Sequence, residues 1–262
     1  MKRDVSWPAV LVVAAAVVVI AACGYLLSTW PPEPPPAPDS VAREKSPASD
    51  ERSQDAEPAA AEVSQEPLVM TVLGDSFTAR SPASAGPEWP KLLGNSLDWR
   101  VFANAADASG YVNPGAGKPF GARIQSLQRR DPDVVVIAGG AGDLGGYPMP
   151  RVVGGASDVV TRVVESFPKA EVVVVSPFSF GEPGPLTLEL SAELQRIARQ
   201  NDVEYVDATR WLGTGGDVMS ADGIHPTELG QQRLAQRMEQ ALVELGLAKD
   251  AGTSSAASSS SP

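Results

Sequence analysis

The chain has 262 residues and 43% hydrophobic content, enough for one sizeable domain with appendages and too apolar for a wholly disordered protein. A formal charge of −11, with no cluster of Lys and Arg, excludes nucleic acid as a partner, because phosphate binding needs such a cluster. A single cysteine, Cys23, and a single histidine, His225, exclude an intrachain disulfide, a Cys-based metal site and any centre that needs two imidazoles, so neither metal nor cofactor is expected.

Lys2 and Arg3 precede an uncharged stretch from Val5 to Pro32 whose apolar centre runs from Ala9 to Leu27. At about 1.5 Å per residue that centre spans roughly 28 Å, the thickness of a bilayer's hydrocarbon core. Trp7, Tyr25 and Trp30 flank it as interfacial aromatics do. Residues 1–30 are therefore expected to form a transmembrane anchor with the basic end in the cytoplasm and the rest of the chain on the extracytoplasmic side. Two rivals stand beside it. A cleaved signal peptide has a shorter apolar region. The run Ile20-Ala21-Ala22-Cys23-Gly24 resembles the lipobox of bacterial lipoproteins, in which the cysteine is lipidated, although Tyr25-Leu26-Leu27 is unusually apolar for residues next to such a cysteine. Each of the three exports the rest of the chain.

Residues 31–66 have the composition of a linker: a Pro-rich start that favours extended chain, then Ala, Ser and Glu without a periodic apolar face. This stretch carries nine acids and three bases, so over half of the net negative charge lies here and is not a property of an active site. From Pro67 to Lys249 strands and helices alternate. Strands are predicted at Leu68–Leu73, Arg100–Ala103, Asp133–Gly139, Glu171–Ser176 and Val203–Val206, several of them Val and Ile runs suited to burial on both faces. Helices are predicted at Glu88–Leu97, Phe120–Arg129, Ala156–Ser166, Leu186–Gln200 and Thr227–Leu245, the last with Leu234, Met238, Leu242 and Leu245 at helical spacing. Such alternation implies parallel strands with right-handed crossovers, an α/β fold built as a three-layer α/β/α sandwich. Residues 250–262, rich in Ala and Ser, are expected to be a disordered tail.

Two loops hold residues with chemistry to offer. The first predicted strand stops at Gly74-Asp75-Ser76, which sets a serine at the carboxyl end of a strand, where ligands bind in open α/β sheets. An ordinary turn uses the same residue types. Just before the last helix comes Asp222-Gly223-Ile224-His225-Pro226. If that loop curls, Asp222 can accept the Nδ1 proton of His225, fix its tautomer and leave Nε2 to take a proton from a serine. The plainer alternative is a polar turn at a helix start.

In this order the motifs resemble those of the SGNH, or GDSL, hydrolases, a family of serine esterases and lipases, over most of Pro67–Leu245. The resemblance implies a flavodoxin-like five-stranded sheet, with Ser76 as nucleophile, His225 as base and Asp222 as its orienting acid. Asn104-Ala105-Ala106-Asp107-Ala108-Ser109-Gly110 is similar to the family's second block, which implies that the backbone N–H groups of Gly110 and Ser76 stabilise the oxyanion. The third block departs: the family's Gly-x-Asn-Asp is here Gly140-Ala141-Gly142-Asp143. An asparagine side chain that would donate to the oxyanion is missing, and removal of one such donor typically lowers the rate about a hundred- to a thousand-fold. Asn113 or a main-chain N–H of the glycine-rich loop could substitute. The loop has neither a P-loop ending nor a dinucleotide-binding spacing, and Ser76 does not sit in a Gly-x-Ser-x-Gly elbow. The expectation is thus an exported, membrane-tethered hydrolase of an envelope glycan, lipid or small acyl ester, working through an acyl-enzyme. A catalytically weakened binding or scaffolding module, or an acyltransferase, is the alternative.

Overall fold

In the computed structural model, residues 66–79 and 86–249 are described. The expected anchor or lipidated segment (1–30), almost all of the linker (31–66) and the tail (250–262) lie outside them. Among the described residues no helix is long and apolar enough to cross a membrane.

Five strands, β1 (Val69–Gly74), β2 (Arg100–Ala105), β3 (Val134–Ala138), β4 (Glu171–Val175) and β5 (Glu204–Val206), form one sheet in the order β2-β1-β3-β4-β5. All neighbouring pairs are parallel. The helices are α1 (Trp89–Leu97), α2 (Ile124–Leu127), α3 (Met149–Ser166), α4 (Pro185–Gln200) and α5 (Glu228–Glu244).

The apolar strands need both faces covered, and their two-residue period divides them cleanly. Met70, Val72, Val134, Val136, Ala138, Val173 and Val175 join a core with Trp89 and Leu93 of α1 and Leu234, Met238 and Leu242 of α5. Leu73, Val135, Ile137, Val172 and Val174 face the other way, against Val159, Val160 and Val163 of α3, Leu190 and Leu194 of α4, and Phe120 and Ile124. The predicted three layers are present. Each fully buried Val, Leu or Ile contributes about 1.5–3 kcal/mol of transfer free energy, so the sandwich rests on these two cores.

Two predicted helices differ from those observed. The helix expected over Phe120–Arg129 is a short α2 between 3-10 turns at Phe120–Arg123 and Gln128–Arg130. The helix expected from Ala156 starts at Met149, after Pro148, and runs through Gly154 and Gly155. Gly155 is there for close approach: a Cβ would lie 2.6 Å from Val112 Cγ1. α5 begins where Thr227 accepts the N–H of Gly230 at 3.2 Å, an N-cap that satisfies one of the helix's free donors.

Gly74 lies opposite Ala105 on one side and Ala138 on the other. β1, β2 and β3 therefore end level, and their three following loops emerge side by side. The chain leaves β1 for β2 on one flank and returns to β3 on the other, so the loops frame a topological switch point, the place where such sheets bind ligands.

Candidate active site

The turn after β1 is closed on Asp75, whose carbonyl accepts the N–H groups of Thr78 (3.1 Å) and Ala79 (2.9 Å). It curls so tightly that a Cβ on Gly74 would meet Thr78 Cγ2 at 2.7 Å, so only glycine fits at 74. Ser76 lies inside this turn, 9% exposed. The Asp75 side chain points inward and is fully buried. Its Oδ1 accepts the N–H of Phe77 (3.0 Å) and its Oδ2 that of Gly140 (3.0 Å), which ties the turn to the loop after β3. Burial pushes the Asp75 carboxyl up to about 6, against the opposing pull of those N–H groups and of Arg123. From the other side Gln231 of α5 clamps the same turn: it donates to the Phe77 carbonyl at 3.4 Å and accepts the N–H of Trp89 at 2.8 Å.

Arg123, which no sequence pattern marks, is buried beneath the site. Its guanidinium donates to the carbonyl of Gly74 (2.9 Å), to the carbonyl (2.7 Å) and Oδ1 (3.0 Å) of Asn104, and to Ser109 Oγ (3.0 Å). It joins the ends of β1 and β2. Burial lowers its pKa to about 10, so it stays a cation at neutral pH.

Asp143, fully buried, anchors the loop after β2 by accepting three consecutive N–H groups, those of Tyr111 (2.6 Å), Val112 (3.1 Å) and Asn113 (2.8 Å). Burial raises its pKa and those N–H groups oppose the rise. Gly110 packs directly on this carboxylate, where a Cβ would come within 2.7 Å of Oδ1. The Gly110 N–H, expected to face an oxyanion, donates to the Asn113 carbonyl at 2.9 Å. Asn113, a possible substitute for the missing asparagine, is also committed: Nδ2 donates to the Gly142 carbonyl (2.6 Å) and Oδ1 accepts from Gly115 (3.1 Å). At Gly142 itself a Cβ would overlap the carbonyl of Ala108 and lie 2.8 Å from Ser109 O. The turn Ala106–Ser109 thus fills the space of the absent side chain. The Ser76 N–H has no hydrogen-bond acceptor among the described residues.

The loop before α5 does curl. Gly223 has φ +71, the Ser220 N–H donates to the His225 carbonyl (2.9 Å), and Met219 bridges Pro226. Asp222 Oδ2 lies 2.7 Å from His225 Nδ1, while Oδ1 accepts from Ser220 Oγ (2.6 Å), Ile224 N–H (2.9 Å) and His225 N–H (3.0 Å). Those donors, Ser220 first, hold the Asp222 carboxyl well below the usual carboxylate range. With Nδ1–H donating to Asp222 Oδ2, Nε2 is left as the working nitrogen. Among the described residues it makes no hydrogen bond, to Ser76 or to any other group, and its near polar neighbour is Asp107 Oδ1 at 3.9 Å. Asp222 and His225 are thus brought together as a pair, and Ser76 is not hydrogen-bonded to them. Catalytic hydrogen bonds commonly tighten only when substrate is bound. Among the described residues no cluster of His, Cys, Asp and Glu could hold a metal ion.

Residues 72–233 match the model of the GDSL-like lipase/acylhydrolase family. A GDSL lipase of Mycobacterium tuberculosis is 27% identical over 183 residues, 64% of this chain and 79% of that protein. Among solved structures, TesA is 25% identical with a TM-score of 0.55, covering 68% of this chain and 99% of its own. The lipase/acylhydrolase from Enterococcus faecalis, 17% identical with a TM-score of 0.56 over 68% of this chain and 96% of its own, shares the fold. With the family's match running from β1 into α5 across every loop of the site, the chain belongs to the GDSL-like lipase/acylhydrolase family and is a serine hydrolase of the esterase/lipase type.

Proposed function

We propose that the protein hydrolyses carboxylic esters through an acyl-enzyme on Ser76, in the extracytoplasmic space and tethered to the membrane by its N-terminal segment. Ser76 Oγ attacks the acyl carbonyl while His225 Nε2 takes its proton. His225 then returns that proton to the departing alcohol, and water, activated by the same nitrogen, releases the acid. Asp222 holds the imidazole and stabilises its cationic form. The observation that supports this most is the 2.7 Å Asp222–His225 pair, whose Nε2 comes within 3.9 Å of Asp107 in the loop after β2, next to the strand end that carries Ser76. Of the expected oxyanion donors, the Ser76 N–H is the ready one; the Gly110 N–H would serve only after leaving Asn113. An envelope glycan ester, a lipid or a small acyl ester outside the membrane is the substrate class, and the uncharged apolar run ahead of the linker supports the tether.

A second reading, a catalytically weakened binding module of the envelope, is favoured by one observation: the Ala108 carbonyl fills the space of a side chain at 142, while the amide of Asn113 is committed to the Gly142 carbonyl and the Gly115 N–H. Release of 4-nitrophenol from 4-nitrophenyl acetate by the full-length protein, lost on both Ser76→Ala and His225→Ala, supports the hydrolase. Turnover that survives both substitutions sinks it. Transfer of the acyl group to an added alcohol, seen in the products, would turn the same acyl-enzyme into a transferase.

A further inference from the structure

In the proposed reaction His225 Nε2 marks the side of the site from which the alcohol departs, because the imidazolium protonates that oxygen. Asp107 faces it: Oδ1 lies 3.9 Å from Nε2, and both atoms are buried without a hydrogen-bond partner among the described residues. With the Nδ1 proton shared with Asp222, a neutral His225 offers only a lone pair at Nε2. In that form two acceptors confront each other, an arrangement that is unfavourable when buried and asks for a donor from outside. The backbone beneath Asp107 is fixed. Its carbonyl accepts from Ala116 (2.8 Å), Ser109 closes the turn on the Ala106 carbonyl through both N–H (3.2 Å) and Oγ (2.7 Å), and Arg123 holds Ser109 Oγ. The side chain itself is 47% exposed, so rotation about its own bonds is the motion left to it.

We propose that Asp107 determines specificity for the alcohol half of the ester, its carboxylate accepting a hydroxyl one or two carbons beyond the carbon that bears the ester oxygen. The inference rests on the Ser76–His225 reading. The departing oxygen must come within about 2.8 Å of Nε2, so a hydroxyl on the next carbon passes within reach of Asp107. Engaged by that hydroxyl, the carboxylate turns away from Nε2 and frees it for Ser76. Alcohols without a second hydroxyl leave the cap in place, and anionic alcohols are repelled by it. The substrates selected are mono-acylated polyols, among them sugar rings.

Two near-isosteric esters test this: 2-hydroxyethyl acetate, which carries the hydroxyl, and propyl acetate, which has a methyl in its place. The ratio of their kcat/KM values is measured on the full-length wild-type protein and on Asp107→Ala and Asp107→Asn. The ratio is expected to fall about tenfold in the alanine variant and less in the asparagine variant, whose carbonyl oxygen still accepts. A ratio unmoved by Asp107→Ala overturns the proposal. Misfolded molecules lower both rates alike and leave the ratio intact, so a merely structural role would not move it. Hydrolysis of both esters that survives Ser76→Ala would instead refute the serine nucleophile, a separate outcome.

Discussion

Restoring the family's asparagine by Gly142→Asn should fail to restore an oxyanion donor and should destabilise the domain. A Cβ at 142 overlaps the Ala108 carbonyl oxygen and sits 2.8 Å from the Ser109 carbonyl oxygen, 2.6 Å from the Ala108 carbonyl carbon. Carbon–oxygen contacts in proteins settle near 3.3 Å or beyond, so two backbone carbonyls must retreat by half an ångström or more. They are not free to do so, since Ser109 is held by Arg123 and the Asp107 carbonyl by Ala116. Overpacking of this kind costs about 1–3 kcal/mol, a fall in Tm of roughly 3–10 °C for a domain of this size. Asn113 would also lose its 2.6 Å bond to the Gly142 carbonyl if residue 142 shifted. Thermal unfolding of the full-length protein and kcat/KM on 4-nitrophenyl acetate, measured together, provide the assay. An unchanged Tm with a rate gain on the order of a hundred-fold, the value of a working donor, would refute the steric reasoning.

Asp75 should make stability fall as pH rises. Its pKa, raised to about 6 in the folded protein from an ordinary 3.8, means that the folded state holds the proton more tightly. The contribution is full below pH 3.8 and is lost as pH climbs through about 6, worth ~3 kcal/mol in all. In urea unfolding at pH 4 and pH 7, the wild type should lose up to that much relative to Asp75→Asn, which does not titrate; parallel behaviour of the two proteins would contradict the burial argument. Ala108 is an exposed non-glycine residue at φ +54, so Ala108→Gly should stabilise the domain by about 0.5–1 kcal/mol in the same measurement, and a loss of stability would show that the strain is not there.

The strands were legible because β3 and β4 are almost continuous valine and isoleucine, a composition that fits burial on both faces and little else. The contact between Asp222 and His225 was legible because it is written locally, in one short loop, and the place of Ser76 after β1 because it follows from a strand stop. The start of α3 was not, because Gly154-Gly155 disfavours a helix by propensity, while Gly155 is needed for close packing on Val112, a contact 43 residues away in sequence. Arg123, Gln231 and Asp143 escaped for the same reason: each acts by tying backbone groups of distant loops, and no spacing along the chain reports that. The direction of the Gly110 N–H depends on the curl of the loop to Asn113, which belongs to tertiary structure and to Asp143 in particular.

The asparagine expected at 142 has no room there, and its neighbours explain why. Glycine at 142 admits the Ala108 carbonyl, the left-handed Ala108 closes the turn that delivers it, and Asn113 secures the Gly142 carbonyl from the other side. A carbonyl oxygen carries partial negative charge, so the site has gained an acceptor near where the family keeps a donor. In the proposed reaction, stabilisation of a developing oxyanion then falls on the Ser76 N–H at the end of β1, and the turn that fills the space at Gly142 also carries Asp107, 3.9 Å from His225 Nε2. A site with fewer oxyanion donors depends more on the alcohol's own readiness to depart and on contacts made to that alcohol. On the proposed reading, Gly142 and Asp107 are therefore linked through a single turn: the reaction would be supported less at the carbonyl and more at the departing group, where selectivity between alcohols would be decided.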